Sequence, residues 1–387
     1  MSAHARLLRS GRDVPLGGPP AKREGVPMSF ARKLALVIGI ASSAAVWPAP
    51  QAVLTPPEHR RGAEQTYLTF PEWFLVHSPA EYAAYLHRDR CGAPPSGFPY
   101  FGHIGQFWQG YAAVSGKAAE TGEVNFGYHV MVLVIGTSTT VEYALKAAYE
   151  NTAGRLAELA RAEPVAEDCV AAEVAQDYVD FIRVQPWYEY DFVKALGKLW
   201  HVPAPAGPQP WGDVLRRWER RWFLSTEYGV KAIYGWLIKK ATKAAYDEPL
   251  PVTAIVTDRD PGPAVSGAPD YKRLSSVAKD ARTLVTVPRY EAFMPHAQAL
   301  AAQGLNFVEI AGNRGRILVS LWAKVDDKVP GLSDVALDLK AQVLFEQPIL
   351  TLPGTRRIAL TVPVVRLAEA LRQWQKAGVK LEHVYDY

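Results

Sequence analysis

Apolar positions recur at helical spacing through the first two thirds of the chain, then give way to short alternating or wholly apolar runs. The pattern predicts five helices, over residues 71–86, 98–111, 126–159, 169–184 and 211–246. The first opens on Pro71, a residue suited to the first turn of a helix. It carries Trp73, Phe74, Tyr82 and Tyr85, and the stretch from Phe98 to Tyr111 is nearly as aromatic. In the last helix Trp211, Leu215, Trp218, Trp222, Tyr228, Ile233 and Trp236 fall at roughly heptad spacing, a stripe expected to face a core. The composition changes at Pro249 and Pro251, and β-branched runs begin at Val252.

The last third contains a weak internal repeat. Thr286-Val287-Pro288, a helical stretch to Gln303, Gly304 and the run 305–309 match Thr361-Val362-Pro363, a stretch to Ala377, Gly378 and the run 379–383. Each copy reads as strand, helix, glycine stop, strand, with proline opening the helical connection and glycine closing it. With further strands at 316–323 and 342–350, two such β-α-β units predict an α+β domain of ferredoxin-like form, one antiparallel sheet with both helices on one face. That architecture hosts many unrelated activities and names none. Asn313-Arg314-Gly315 reads as a hairpin turn and not as an anion site.

A different pattern occupies the N-terminus. The run Leu34–Trp47 is uncharged and apolar, and the arm before it carries seven Lys and Arg against two acids. Such asymmetry keeps the arm in the cytoplasm and sends the downstream chain across the membrane. Fourteen residues suit the apolar core of a signal peptide better than a bilayer span. Trp47 and Pro48-Ala49-Pro50 suit the exit of an anchor helix, so cleaved signal and signal-anchor both stand. The expected organisation is a basic arm over 1–33, with Met28 as an alternative start, a signal or anchor over 34–50, a helical domain over 60–248 and an α+β domain over 250–387. The run 130–136 is a second apolar stretch, but extending it to about 20 residues takes in Glu142 at a cost of a few kcal/mol. A buried soluble helix is the expectation there.

Charge adds one exclusion. The chain is +4 overall while the arm alone is +5, so the remainder lacks the cationic balance of a nucleic-acid binder. Cys91 and Cys169 are too few for a disulfide framework or a closed zinc site; they pair in an oxidising compartment or stand as unrelated thiols. No lipobox cysteine comes after the apolar run.

Phosphate-loop, dinucleotide, zinc-protease and nucleophile-elbow motifs are all missing. Four weaker constellations remain. Glu173, Asp177 and Asp180 share one helix face, as half of a metal site or as a solvated stripe. His103 and His129, with Glu142 and Glu150, are the residue types that facing helices use for a metal or haem, although the Glu-x-x-His spacing of di-iron bundles is absent. Arg217 and Arg221 lie one turn apart beside the tryptophan stripe, fit for anionic lipid, an acidic partner or a snorkelling solvent face. The aromatic stretch 98–111 with Trp73 and Tyr82 suits a pocket, a membrane interface or plain core. No cofactor is named by these residues. The leading expectation is a non-catalytic binding or accessory protein on the outer, periplasmic face of a bacterial inner membrane, gripping a lipid or an envelope protein. A metal- or haem-binding protein is the alternative.

Overall fold

The computed structural model describes residues 53–122, 124–245, 250–277, 281–326, 329 and 339–385. The basic arm, Met28 and the apolar segment 34–50 lie outside them. The described chain is α+β, a helical layer followed by two antiparallel sheets.

The helical layer holds α1 (Gln65–Leu86), α2 (Tyr100–Ala119), α3 (Phe126–Tyr149), a π turn at Glu150–Gly154, α4 (Arg155–Ala160), α5 (Ala166–Ile182), α6 (Phe192–Trp200) and α7 (Trp211–Ala245). Asn125 and Asp191 cap α3 and α6, each accepting from the backbone N–H three residues on. α1 begins ahead of the expected start, so Pro71 and Pro79 both lie inside it. An internal proline costs a helix about 3 kcal/mol. Here Tyr67, Leu68 and Phe70 are buried just before Pro71, and their packing outweighs the lost backbone bond.

The strands do not merge into the expected single sheet. β1 (Val252–Thr257), β2 (Lys272–Val277), β3 (Arg282–Pro288) and β4 (Phe307–Ile310) form one sheet, with α8 (Phe293–Ala302) between β3 and β4. β5 (Arg316–Lys324), β6 (Gln342–Pro348), β7 (Thr355–Pro363) and β8 (Lys380–Tyr385) form another, with α9 (Val364–Lys376) between β7 and β8. Both sheets run second, third, first, fourth strand, all neighbours antiparallel. The repeat is therefore a duplicated strand-strand-strand-helix-strand unit, larger than the β-α-β motif visible in the sequence. Gly304 and Gly378 end the two helices at φ +77° and +70°, a region costly for any side chain with a Cβ.

Burial explains the separation. Ile317, Val319 and Leu321 of β5 face a core shared with α8, α9 and the inner side of the first sheet. Leu318 of β5, Ala359 of β7 and Tyr385 of β8 face the other way, onto Tyr67, Leu68 and Phe70 of α1 and Val114 of α2. The second sheet is thus covered on both faces, which its unbroken apolar runs require. The hairpin expected at Asn313-Arg314-Gly315 is not formed, because β4 and β5 belong to different sheets; the turn falls at Ala311-Gly312 under the Ile310–Asn313 bridge, with Asn313 Oδ1 accepting from Gly315 and Arg314 paired with Glu309.

Candidate functional site

Where α1 and α2 meet β7 and β8, a buried polar network joins the two layers. Arg357 of β7 is fully buried and donates to Glu382 at 2.7 and 2.8 Å and to Glu81 of α1 at 3.0 Å. Trp322 Nε1 also donates to Glu382. His77 stands 3.7 Å from Glu382 and 3.3 Å from the Tyr385 hydroxyl. His103 of α2 meets Ser78 Oγ at 2.9 Å and lies 3.7 Å from Glu81. Ser78 is in turn 2.7 Å from the Tyr143 hydroxyl.

Each charge state has an identifiable cause. Burial lowers His77 to about 4, with Glu382 opposing and Arg357 assisting. Burial and then Arg357 lower His103 to about 3. Burial pushes Glu382 up, but Arg357 and His77 outweigh it and leave the carboxyl at about 2. Burial raises Glu81 against the pull of Arg357. The order Ser78, His103, Glu81 is that of a nucleophilic triad, and the neighbours disarm it. Glu81 is shared with Arg357, His103 is too weak a base near neutral pH, and Ser78 is closed off by Tyr143. The chemistry of this cluster is cohesive: it fastens helices to sheet.

The helical layer itself is inverted. Along α7 the inward stripe is Gly212, Arg216, Arg220, Leu224, Tyr228 and Gly235, all buried. A Cβ at Gly212 would fall 1.8 Å from the Ala160 carbonyl, so only glycine admits this closeness. Arg216 bonds Asp168 at 2.8 Å and Glu219 at 3.0 Å; Arg220 bonds Glu150 at 3.0 Å. The π turn is what turns Glu150 inward to meet Arg220. Lys146 and Lys231 share Glu227 at 2.7 Å each, and Lys231 also holds Glu142 at 2.9 Å. These groups border a cavity of about 90 Å³ between α1, α3, α5, α6 and α7. Small-molecule sites usually run to about 300–1,000 Å³, so this interior suits a few waters better than a cofactor.

The outward side is apolar. Trp211, Trp218, Trp222 and Trp236 are 74, 59, 62 and 54 % exposed, with Leu215 and Ile233 beside them, whereas Arg216 and Arg220 are 0 and 1 % exposed. Of the stripe expected to face a core, only Tyr228 does so. The reason is that carboxylates from α5, the π turn and α7 itself claim the arginines, and their face becomes the inner one. α3 likewise departs from the expected buried helix. Among the described residues, Phe126–Ala160 is the one run long and apolar enough to cross a membrane, and only 28 % of its apolar window is buried. Val134, Val141 and Leu145 are 54, 52 and 67 % exposed, and no Asp, Glu, Lys or Arg occurs from Phe126 to Val141. The two outward faces meet where the Tyr149 ring lies 5.7 Å from Trp222.

The other expected site residues are each accounted for locally. His103 is buried in the joint, while His129 meets the Tyr111 hydroxyl at 3.0 Å; Glu142 goes to lysines and Glu150 to Arg220. They do not converge, and among the described residues no group of three or more His, Cys, Asp or Glu stands where it could hold a metal ion. Glu173, Asp177 and Asp180 form an exposed stripe, Asp177 paired with Lys198 and Asp180 with Arg183. Arg217 and Arg221 both bond the buried Glu167. The aromatic stretch is core at Phe98, Tyr100 and Phe107, and surface at Phe101. Cys91 and Cys169 are joined in a disulfide, Cα to Cα 5.0 Å, tying the loop after α1 to α5. The joint around Arg357 escaped the sequence reading because its members come from six elements far apart in the chain, α1, α2, α3, β5, β7 and β8.

No family model, no curated protein and no solved structure matches this chain.

Proposed function

We propose that the chain is an exported envelope protein of the bacterial inner membrane, its bulk on the periplasmic side, that works by binding and not by catalysis. Residues 34–50 serve as its anchor or as a cleaved signal. The observation that carries this reading is the inversion of α7, which turns four tryptophans outward and two arginines inward. Burying charge while exposing large apolar side chains is unfavourable against water, and contiguous exposed apolar surface marks a place where something else is bound. The disulfide supports the address, since such bonds persist in oxidising compartments.

The test is a pair of measurements in intact cells. A periplasm-active reporter fused after Tyr387 is expected to be active, and Cys91 and Cys169 are expected to resist alkylation until a reductant is added. A cytoplasm-active fusion with freely alkylated thiols overturns the proposal.

A further inference from the structure

We infer that the outward face of α3 and α7 seats against the interfacial layer of a phospholipid bilayer, with Arg221 and Lys240 at its rim meeting anionic lipid phosphates. This rests on the envelope reading above and names its partner. Three observations favour lipid. The first is extent with little charge: the exposed side of α3 presents Val134 and Val141 within Phe126–Val141, a stretch without Asp, Glu, Lys or Arg, and Leu145 beyond Glu142, whose carboxylate is held by Lys146 and Lys231. Water leaves such a face uncovered, and a bilayer interior covers it at little electrostatic cost.

The second is the company the tryptophans keep. The Arg221 guanidinium lies 5.4 Å from the Trp200 ring centre and 5.8 Å from that of Trp218, and Lys240 Nζ lies 4.1 Å from that of Trp236. An amphipathic ring beside a cation fits the depth at which acyl chains give way to phosphate. Trp200, Trp218, Arg221, Trp222, Ser225 and Thr226 also frame an open notch of about 350 Å³, roomy enough for a lipid headgroup. Arg221 Nε is spent on Glu167 and Nη2 on the Val202 carbonyl, while Nη1 makes no hydrogen bond among the described residues.

The third is rim charge. A second copy docked face to face would bring like cations to the same edge and repel, whereas an anionic surface complements them. The apolar run ending at Trp47 is also separated by only five residues from Val53, the first described residue.

The test uses the full-length chain in vesicles of phosphatidylcholine with or without phosphatidylglycerol, containing an apolar photoactivated carbene probe. Tags are mapped by peptide mass spectrometry. Peptides covering Val134–Leu145 and Trp218–Trp236 are expected to carry at least tenfold more tag than the comparably exposed Val365 of α9. Phosphatidylglycerol is expected to raise tagging at Trp218 and Trp222, and Arg221→Gln to cut that rise about fivefold, the worth of one basic residue at an anionic surface. Because Arg221 also holds Glu167, Lys240→Gln serves as the second variant and is expected to do the same at Trp236. Tags confined to residues 34–47 overturn the bilayer face while leaving anchoring intact, and tags on neither region sink both readings. A protected face in cross-linked dimers assigns the surface to a second copy. Loss of the phosphatidylglycerol-dependent rise on adding inorganic phosphate to the phosphatidylglycerol-containing vesicles assigns the notch to free phosphate. Each of these last two results also overturns the inference.

Discussion

At the scale of single residues, the joint around Arg357 sets how the fold responds to acid. His77 is ordinarily near 6.5 and stands at about 4 here, so between those values the unfolded chain takes up protons that the folded chain refuses. Stability therefore falls as pH drops through that window, by about 2 kcal/mol at pH 5 for His77 alone. His103 extends the loss to about 3. Glu382, depressed from 4.5 to about 2, adds a further loss across its own window, which the raised Glu81 partly offsets. The urea midpoint in mild detergent is accordingly expected to be lower at pH 5 than at pH 7.5, with His103→Gln showing a flatter dependence. A midpoint equal or higher at pH 5 would show that the histidines are not held neutral. Of this cluster the sequence disclosed only that His103 sits among aromatics, because pairing partners such as Glu81 and Glu382 are set by tertiary approach and not by spacing.

At the scale of the element, α7 shows what periodicity conveys and what it omits. Heptad spacing of Trp211, Leu215, Trp218 and Trp222 correctly marked a helix with one apolar face. It carried no information about which face met the protein. That choice was made by Asp168, Glu150 and Glu158, whose carboxylates cluster around Arg216 and Arg220 in the fold. The helix ends and the glycine stops of α8 and α9 were legible because they depend on local chemistry; the extra strands β1 and β2 were not, since nothing local marks their membership of a repeat. The inversion has a measurable consequence. Leu224→Ala, on the buried stripe, is expected to cost 2–5 kcal/mol through the cavity it leaves. Trp211→Ala removes a far larger side chain that is 74 % exposed and is expected to change stability by no more than about 0.5 kcal/mol. Denaturant titration of the two variants separates the possibilities, and comparable losses for both would mean that the tryptophan face is packed.

At the scale of the whole molecule, composition divides the chain near Pro249 while the contacts bind its parts together. The Thr66 hydroxyl donates to the Tyr385 carbonyl at 2.8 Å and accepts from the Leu318 amide at 2.9 Å, bridging β8 and β5 from the first turn of α1. Gln106 of α2 donates to the Pro348 carbonyl, and Gln347 donates back to the Gln106 carbonyl. With Phe70 packed 5.0 Å from Phe345 and 5.7 Å from Tyr385, neither layer can loosen without exposing apolar surface and buried charge of the other. Helices and sheets are therefore expected to unfold in one transition, with coincident curves for helical ellipticity and for the part of the near-ultraviolet signal that Trp374→Phe removes, Trp374 being buried against α8 and the strands. Arg357→Met provides the sharper test. It strands two carboxylates, Glu81 and Glu382, in the interior, at a cost of about 3–5 kcal/mol. If the layers are one cooperative unit, both curves move together to lower denaturant by that amount. If the helical signal shifts while the Trp374 signal stays in place, the helical layer is an independent domain resting on the sheets, and its exposed apolar face can detach from them.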